Sequence, residues 1–172
     1  RKNLQKILTL KSKTVFQRHL SNICGIIEDS NHSTLKFMSR KNYQHVKGFL
    51  DIEEGNFLFQ LVKEYSKDGV IVEIGSYCGK STCYLAAAAK EVSATFISID
   101  HHKGSEEHQL GELYHDSEEY DHVLGRINTF PSFIKNLTDN DLDDFVIPLV
   151  TSSKTASKIL KDDISLLFID GS

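Results

Sequence analysis

The chain has 172 residues, enough for one domain with a buried core, and its 40% hydrophobic and 26% charged content is that of an ordinary soluble globular protein. A net charge of -4 gives no general reason to expect nucleic acid, and no apolar run approaches the roughly 20 residues that span a bilayer. No signal-peptide pattern opens the chain, so the expected compartment is cytoplasmic, with no membrane partner.

Residues 1–27 carry Arg1, Lys2, Lys6, Lys11, Lys13 and Arg18, with no acid before Glu28. A solvated helix face is the expected reading, ahead of an arm touching an anionic surface. Apolar groups at Leu4, Ile7 and Leu8, at Val15, Phe16 and Leu20, and at Ile23, Ile26 and Ile27 follow an i, i+3, i+4 pattern. One or two helices are predicted there, forming an N-terminal helical extension over residues 1–47.

Asp51 precedes Glu54 by three, a capping-box spacing that opens a helix running to about Tyr65. Its Phe57, Leu58, Leu61, Val62 and Tyr65 share one face, which should pack on a sheet, and Gly69 suits the stop that follows. Alternation then sets in. Val70–Ile74 reads as a buried strand, Ser81–Glu91 as an alanine-rich helix, and Ala94–Ile99 as a second strand ending at Asp100. After the polar span His101–Asp121 come a helix over Val123–Leu137 interrupted near Pro131, a strand over Phe145–Val150, a helix over Ser153–Lys161 and a strand over Ile164–Ile169 ending at Asp170. Such alternation predicts an α/β fold: a doubly wound, Rossmann-like, mostly parallel sheet with helices on both faces. The chain opens on Arg1 rather than Met and stops at Asp170-Gly171-Ser172, directly after an apolar strand. A C-terminally truncated fold is therefore expected, its last strand uncovered on one side. The three cysteines, Cys24, Cys78 and Cys83, are odd in number and lack metal-ligand spacing, so they predict packing rather than a disulfide framework.

Chemistry should gather beyond the carboxyl ends of the strands. There the segment VIVEIGSYCGKS (Val70–Ser81) breaks from strand to helix through a Gly75-x-x-x-Gly79 turn, and Asp100 closes the next strand. Glu73, two residues before the first glycine, is unwelcome to a polyphosphate and favours a ligand with a cationic or hydroxyl-rich part. A nicotinamide fingerprint is not met, because Gly75–Gly79 lacks G-x-G-x-x-G. Gly79-Lys80-Ser81 resembles the second half of a P-loop, and LLFID (Leu166–Asp170) its magnesium-holding strand. Only three residues separate the glycines, however, one too few to wrap a phosphate in the usual way.

VEIGSYCGKST followed by SID, ending at Asp100, resembles the first two motifs of class I S-adenosylmethionine-dependent methyltransferases. HHKGSEEHQ (His101–Gln109), the Ser152-Ser153 turn and LLFIDGS extend the similarity to a subgroup of small-molecule O-methyltransferases. The resemblance covers Gly48–Ser172, taken as a methyltransferase domain (48–172) incomplete at its C-terminus. It implies S-adenosylmethionine as cofactor. Glu73, Gly75, Ser76 and Gly79 would then line its methionine part, with Tyr77, Ser81, His101 and Asp170 among the contacts, Asp100 on the ribose and Ser152 and Ser153 near the adenine. Asp170 resembles the strand-end acid that binds Mg2+ or another divalent metal in the catechol-type branch. The family fold continues for three more strands that this chain lacks, and the sequence ends before the histidine expected just after Gly171 or Ser172.

The expected reaction is methyl transfer to a hydroxyl of a small molecule, a sugar or natural product. Its needs are alignment, exclusion of water, and a base or metal at the hydroxyl. His101 or His102, directly after the ribose acid, is the candidate catalytic base. His101, His108, His115 and His122 recur every seven residues, as a metal-binding helix face would require, but Gly104 and Gly111 oppose a continuous helix. A mobile polar lid over the cofactor is the reading for this span. A small-molecule substrate is expected, no nucleic-acid partner, and a homo-oligomer is compatible with the sequence. A non-catalytic module binding a nucleotide-like ligand or a partner is the competing class.

Overall fold

A computed structural model describes residues 6–9, 41–65, 69–105, 109, 111–112, 115–160 and 163–170. In chain order the elements are β1 (Lys6–Thr9), α1 (Ile52–Tyr65), β2 (Val70–Ile74), α2 (Lys80–Glu91), β3 (Thr95–Asp100), β4 (Tyr120–Asp121), β5 (Arg126–Ile127), α3 (Phe130–Thr138), β6 (Ile147–Val150), α4 (Ser153–Ala156) and β7 (Ile164–Ile169). Five strands form one sheet in the order β1-β7-β2-β3-β6, every neighbouring pair parallel. The short β4 and β5 pair antiparallel as a separate hairpin.

Side-chain alternation divides the sheet into two faces. Ile71, Phe96, Leu166 and Phe168 meet α1, α2 and α3 in the main core, while Val72 and Ile99 meet Ala156 and Leu160 opposite. Cover is therefore unequal: three helices on one face, and the single turn of α4 on the other among the described residues. The α1 core residues Leu58, Leu61 and Val62 are almost wholly buried, each contributing about 1.5–3 kcal/mol by leaving water.

The alanine run is explained by the surroundings of α2, whose residues are buried from Lys80 through Ala89. Helix α1 reaches it closely at Gly55, where an added Cβ would lie 2.2 Å from the Tyr84 ring. Asp51 and Glu54 form the anticipated reciprocal cap, with Glu54 N–H donating to Asp51 Oδ1 at 2.8 Å and Asp51 N–H to Glu54 Oε2 at 3.0 Å.

Four differences from the sequence expectations stand out. Lys6–Thr9 is a strand where helix was predicted, and residues 41–47 are not helical; residues 1–5 and 10–40 of that predicted stretch lie outside the described residues. Strand β7 consequently lies between β1 and β2 and is not an uncovered last strand. Residues 120–127 form the β4–β5 hairpin, and Pro131 stands in the first turn of α3 rather than interrupting a longer helix. Helix α4 stops at Ala156, well short of Lys161. No helix among the described residues is long and apolar enough to cross a membrane.

Candidate active site

The carboxyl ends of β2 and β3 carry the glycine turn. Gly75 has φ 88° and Gly79 φ 92°, left-handed values that L side chains rarely adopt. A Cβ on Gly79 would also lie 3.1 Å from Phe133. The turn is tied to both neighbouring strands: Gly75 N–H donates to Ile99 O at 2.9 Å, and Asp170 N–H to Ile74 O at 2.9 Å.

Glu73 and Asp100 point to the same side of the sheet but serve different environments. Glu73 is wholly buried and accepts from Ser81 Oγ at 2.6 Å, Thr82 Oγ1 at 2.5 Å and Ser98 Oγ at 3.1 Å. Burial pushes its pKa up to about 7 against those three hydroxyls, with the Asp170 charge adding to the rise. Asp100 gathers main-chain amides: Ser76 and Tyr77 N–H donate to Oδ2 at 2.9 Å each, and His102 N–H to Oδ1 at 2.8 Å. A strand-end acid thus fixes the curvature of the turn beside it.

Ser76 Oγ is the one buried side-chain polar atom without a partner among the described residues. A buried hydroxyl normally finds a hydrogen bond, so a polar ligand seated in the turn has an unmet group to satisfy. Ser81 is a different case, its hydroxyl already donating to Glu73. Lys80 is buried, and its ammonium donates to Gly48 O at 3.3 Å. Burial holds that ammonium below the ordinary lysine range, against the opposing pull of Asp51.

The two candidate bases separate. His102 is 4% exposed, with Nδ1 at 2.8 Å from Thr129 Oγ1 and its ring centroid 4.9 Å from that of Phe133. Burial lowers its pKa, opposed by Asp100. A catalytic role at the substrate does not suit this placement, because the ring is packed against protein. His101 is half-exposed instead: its Nδ1 accepts from Lys103 N–H at 3.0 Å and lies 3.8 Å from Asp100 Oδ1.

Ser152 caps α4, accepting from Thr155 N–H at 3.2 Å, and both Ser152 and Ser153 are exposed. They follow β6, and Thr151 N–H donates to Asp100 O at 3.1 Å, which joins this turn to the tip of β3. Asp170 stands just beyond β7 and is exposed. Protein around its carboxyl, ahead of repulsion from Glu54, pushes its pKa up to about 6. No group of three or more His, Cys, Asp or Glu is placed to hold a metal ion among the described residues. Asp170 therefore does not form the expected divalent-metal site with them, and His101, His115 and His122 do not form the heptad cluster.

Three residues left out of the sequence reading of the site adjoin it. Lys47 Nζ reaches Asp116 Oδ1 at 2.7 Å and Glu119 Oε1 at 3.4 Å, and Tyr77 donates its phenolic O–H to Asp116 Oδ2. Only the acidity of the span after Asp100 hinted at Asp116 and Glu119. Nothing local marked Lys47.

A family model described as a methyltransferase domain matches residues 72–172, more than half of the chain. The O-methyltransferase TomG from Streptomyces achromogenes, involved in tomaymycin synthesis and solved with SAM, has a TM-score of 0.50 at 16% identity, covering 72% of this chain and 45% of that one. Cofactor-bound Rv0187 from MTB has a TM-score of 0.50 at 19% identity, with the same 72% and 45% coverage. The present chain thus spans less than half the length of these two structures, which share its Rossmann-like fold. By the match to its strand–turn–helix core and everything after it, the chain belongs to the methyltransferase-domain family.

Proposed function

We propose that the chain binds S-adenosylmethionine across the Gly75–Gly79 turn and transfers its methyl group to a hydroxyl of a small molecule, a sugar or natural product. The observation that carries this reading is the preformed turn, closed by Asp100 through three main-chain amides and holding the unpartnered Ser76 hydroxyl. Family membership and the cofactor-bound state of both matched structures support it; TomG, being an O-methyltransferase, supports oxygen as acceptor.

Bound, the cofactor supplies a methyl already activated on a sulfonium. The chain's own residues align and desolvate. In this reading Ser76, Tyr77 and Gly79 line the methionine end, and buried Glu73 beneath them favours a cation above. Asp100 lies on the ribose side, Ser152 and Ser153 toward the adenine. His101 is the base: when its Nδ1 leaves the Lys103 amide it accepts the hydroxyl proton, and nearby Asp100 steadies the imidazolium.

The test is calorimetric binding of S-adenosylhomocysteine and of 5′-methylthioadenosine, which keeps the ribose but lacks the amino-acid end, to wild type and Asp100→Ala. A loss of about tenfold or more for both, roughly 1.4 kcal/mol, is expected from a residue at the nucleoside. Loss confined to S-adenosylhomocysteine assigns Asp100 to the turn alone. Failure of the wild type to bind either compound overturns the cofactor reading.

A further inference from the structure

We infer that Lys47 and Asp116 are positioning residues for the glycine turn, acting through Tyr77. The inference rests on the cofactor reading for what the turn holds, but not for how the turn is held.

Tyr77 has φ 48°, a left-handed conformation uncommon for a residue with a side chain. Such a residue persists where its surroundings over-determine it. Tyr77 is held at both ends and on its face. Its N–H donates to Asp100 Oδ2 at 2.9 Å; its ring stacks on Phe49 with centroids 6.1 Å apart and planes 26° apart; its phenol donates to Asp116 Oδ2.

Asp116 is the far anchor, and Lys47 fixes it, Nζ lying 2.7 Å from Oδ1. Burial pushes the Asp116 carboxyl up, but the bonds from Lys47 and Tyr77 outweigh it and hold the group below its usual range. Burial, then the bond to Asp116, holds the Tyr77 phenol above its ordinary range, so it remains a donor. The same lysine reaches Glu118 Oε2 at 2.8 Å and Glu119 Oε1 at 3.4 Å. Glu119 in turn accepts from Ser132 Oγ at 2.7 Å, and Asn136 Nδ2 donates to Cys78 O at 2.8 Å, so α3 grips both the acidic segment and the turn. A residue before α1 and a segment after β3 thus converge on the tyrosine that carries the strained backbone, and one face of α3 holds that segment and the neighbouring Cys78. The separation of 69 positions in sequence between Lys47 and Asp116 makes this a tertiary arrangement rather than local loop geometry.

The experiment uses the full chain and two readouts: amide hydrogen exchange without ligand, and calorimetry with S-adenosylhomocysteine. Lys47→Met and Asp116→Asn should each raise exchange at Ser76 and Tyr77 by about tenfold, leave β3 and the centre of α2 at wild-type protection, and weaken S-adenosylhomocysteine by about tenfold. Lys47→Arg should restore both. Tyr77→Phe should reproduce Asp116→Asn, and the double variant should add nothing further. Wild-type exchange at the turn in Asp116→Asn overturns the inference whether or not the ligand binds, as do fully additive losses in the double variant. Exchange lost across β3 and α2 as well makes the role one of general stability and overturns it too. Absence of binding by the wild type strikes instead at the proposed cofactor, and turn exchange still decides this inference.

Discussion

Glu73 and Asp100 end or nearly end adjacent strands, yet burial treats them differently. Asp100 accepts hydrogen bonds from main-chain amides, whereas among the described residues Glu73 accepts them from three hydroxyls. Its folded pKa of about 7 stands above the ordinary 4.5. Between those values the folded state binds more protons than the unfolded one, so this group lowers stability as pH rises through the window. Below about 4.5 both states are protonated and above about 7 neither is, so the effect saturates at each end. Glu73→Gln should remove this decline, gaining on the order of 2 kcal/mol over wild type between about pH 5 and about pH 8. Urea unfolding of both proteins at the two pH values checks it. A stability difference that stays constant across the window would contradict a buried acid whose burial outweighs its hydroxyl partners.

At the scale of elements, local chemistry decided what could be read in advance. The Asp51–Glu54 cap is written in four consecutive residues and forms as its spacing requires. Asp51→Ala should cost about 1 kcal/mol, seen as a fall of roughly 2–4 °C in thermal midpoint for a chain of this size; an unchanged midpoint would show that α1 is held by packing alone. Strands Val70–Ile74 and Ile164–Ile169 were legible to the residue because continuous apolar runs end there at turn signals. Val123–Leu137 was misread because its apolar spacing suits a helix, while Gly125, at φ 65°, reverses the chain as a hairpin. Lys6–Thr9 is too short for periodicity to identify, and its pairing with β7 depends on residues far along the chain. The site divides likewise. The glycines and the acid at Asp100 were visible as sequence, but the partners of that acid, the closed hydroxyl shell of Glu73 and the link from Lys47 to Asp116 exist only through tertiary contact.

Across the whole molecule, unequal cover of the sheet leaves its margins exposed in a particular way. Helices crowd the face that bears Glu73, Asp100 and Asp170, so the candidate chemistry gathers at one rim of the helix-covered side. The β6 margin is quite different. Among the described residues it pairs only with β3, and Ile147 and Val150 are 45% and 52% exposed. Between them sits Pro148, in register with Ser98.

A bare, greasy border of this kind invites another molecule to zip onto it, strand against strand. Pro148 interrupts that ladder, since it brings no N–H to a newcomer. Its consequence concerns concentration: Pro148→Val should leave the fold intact yet promote clumping as protein accumulates, and light scattering along a dilution series would reveal the difference.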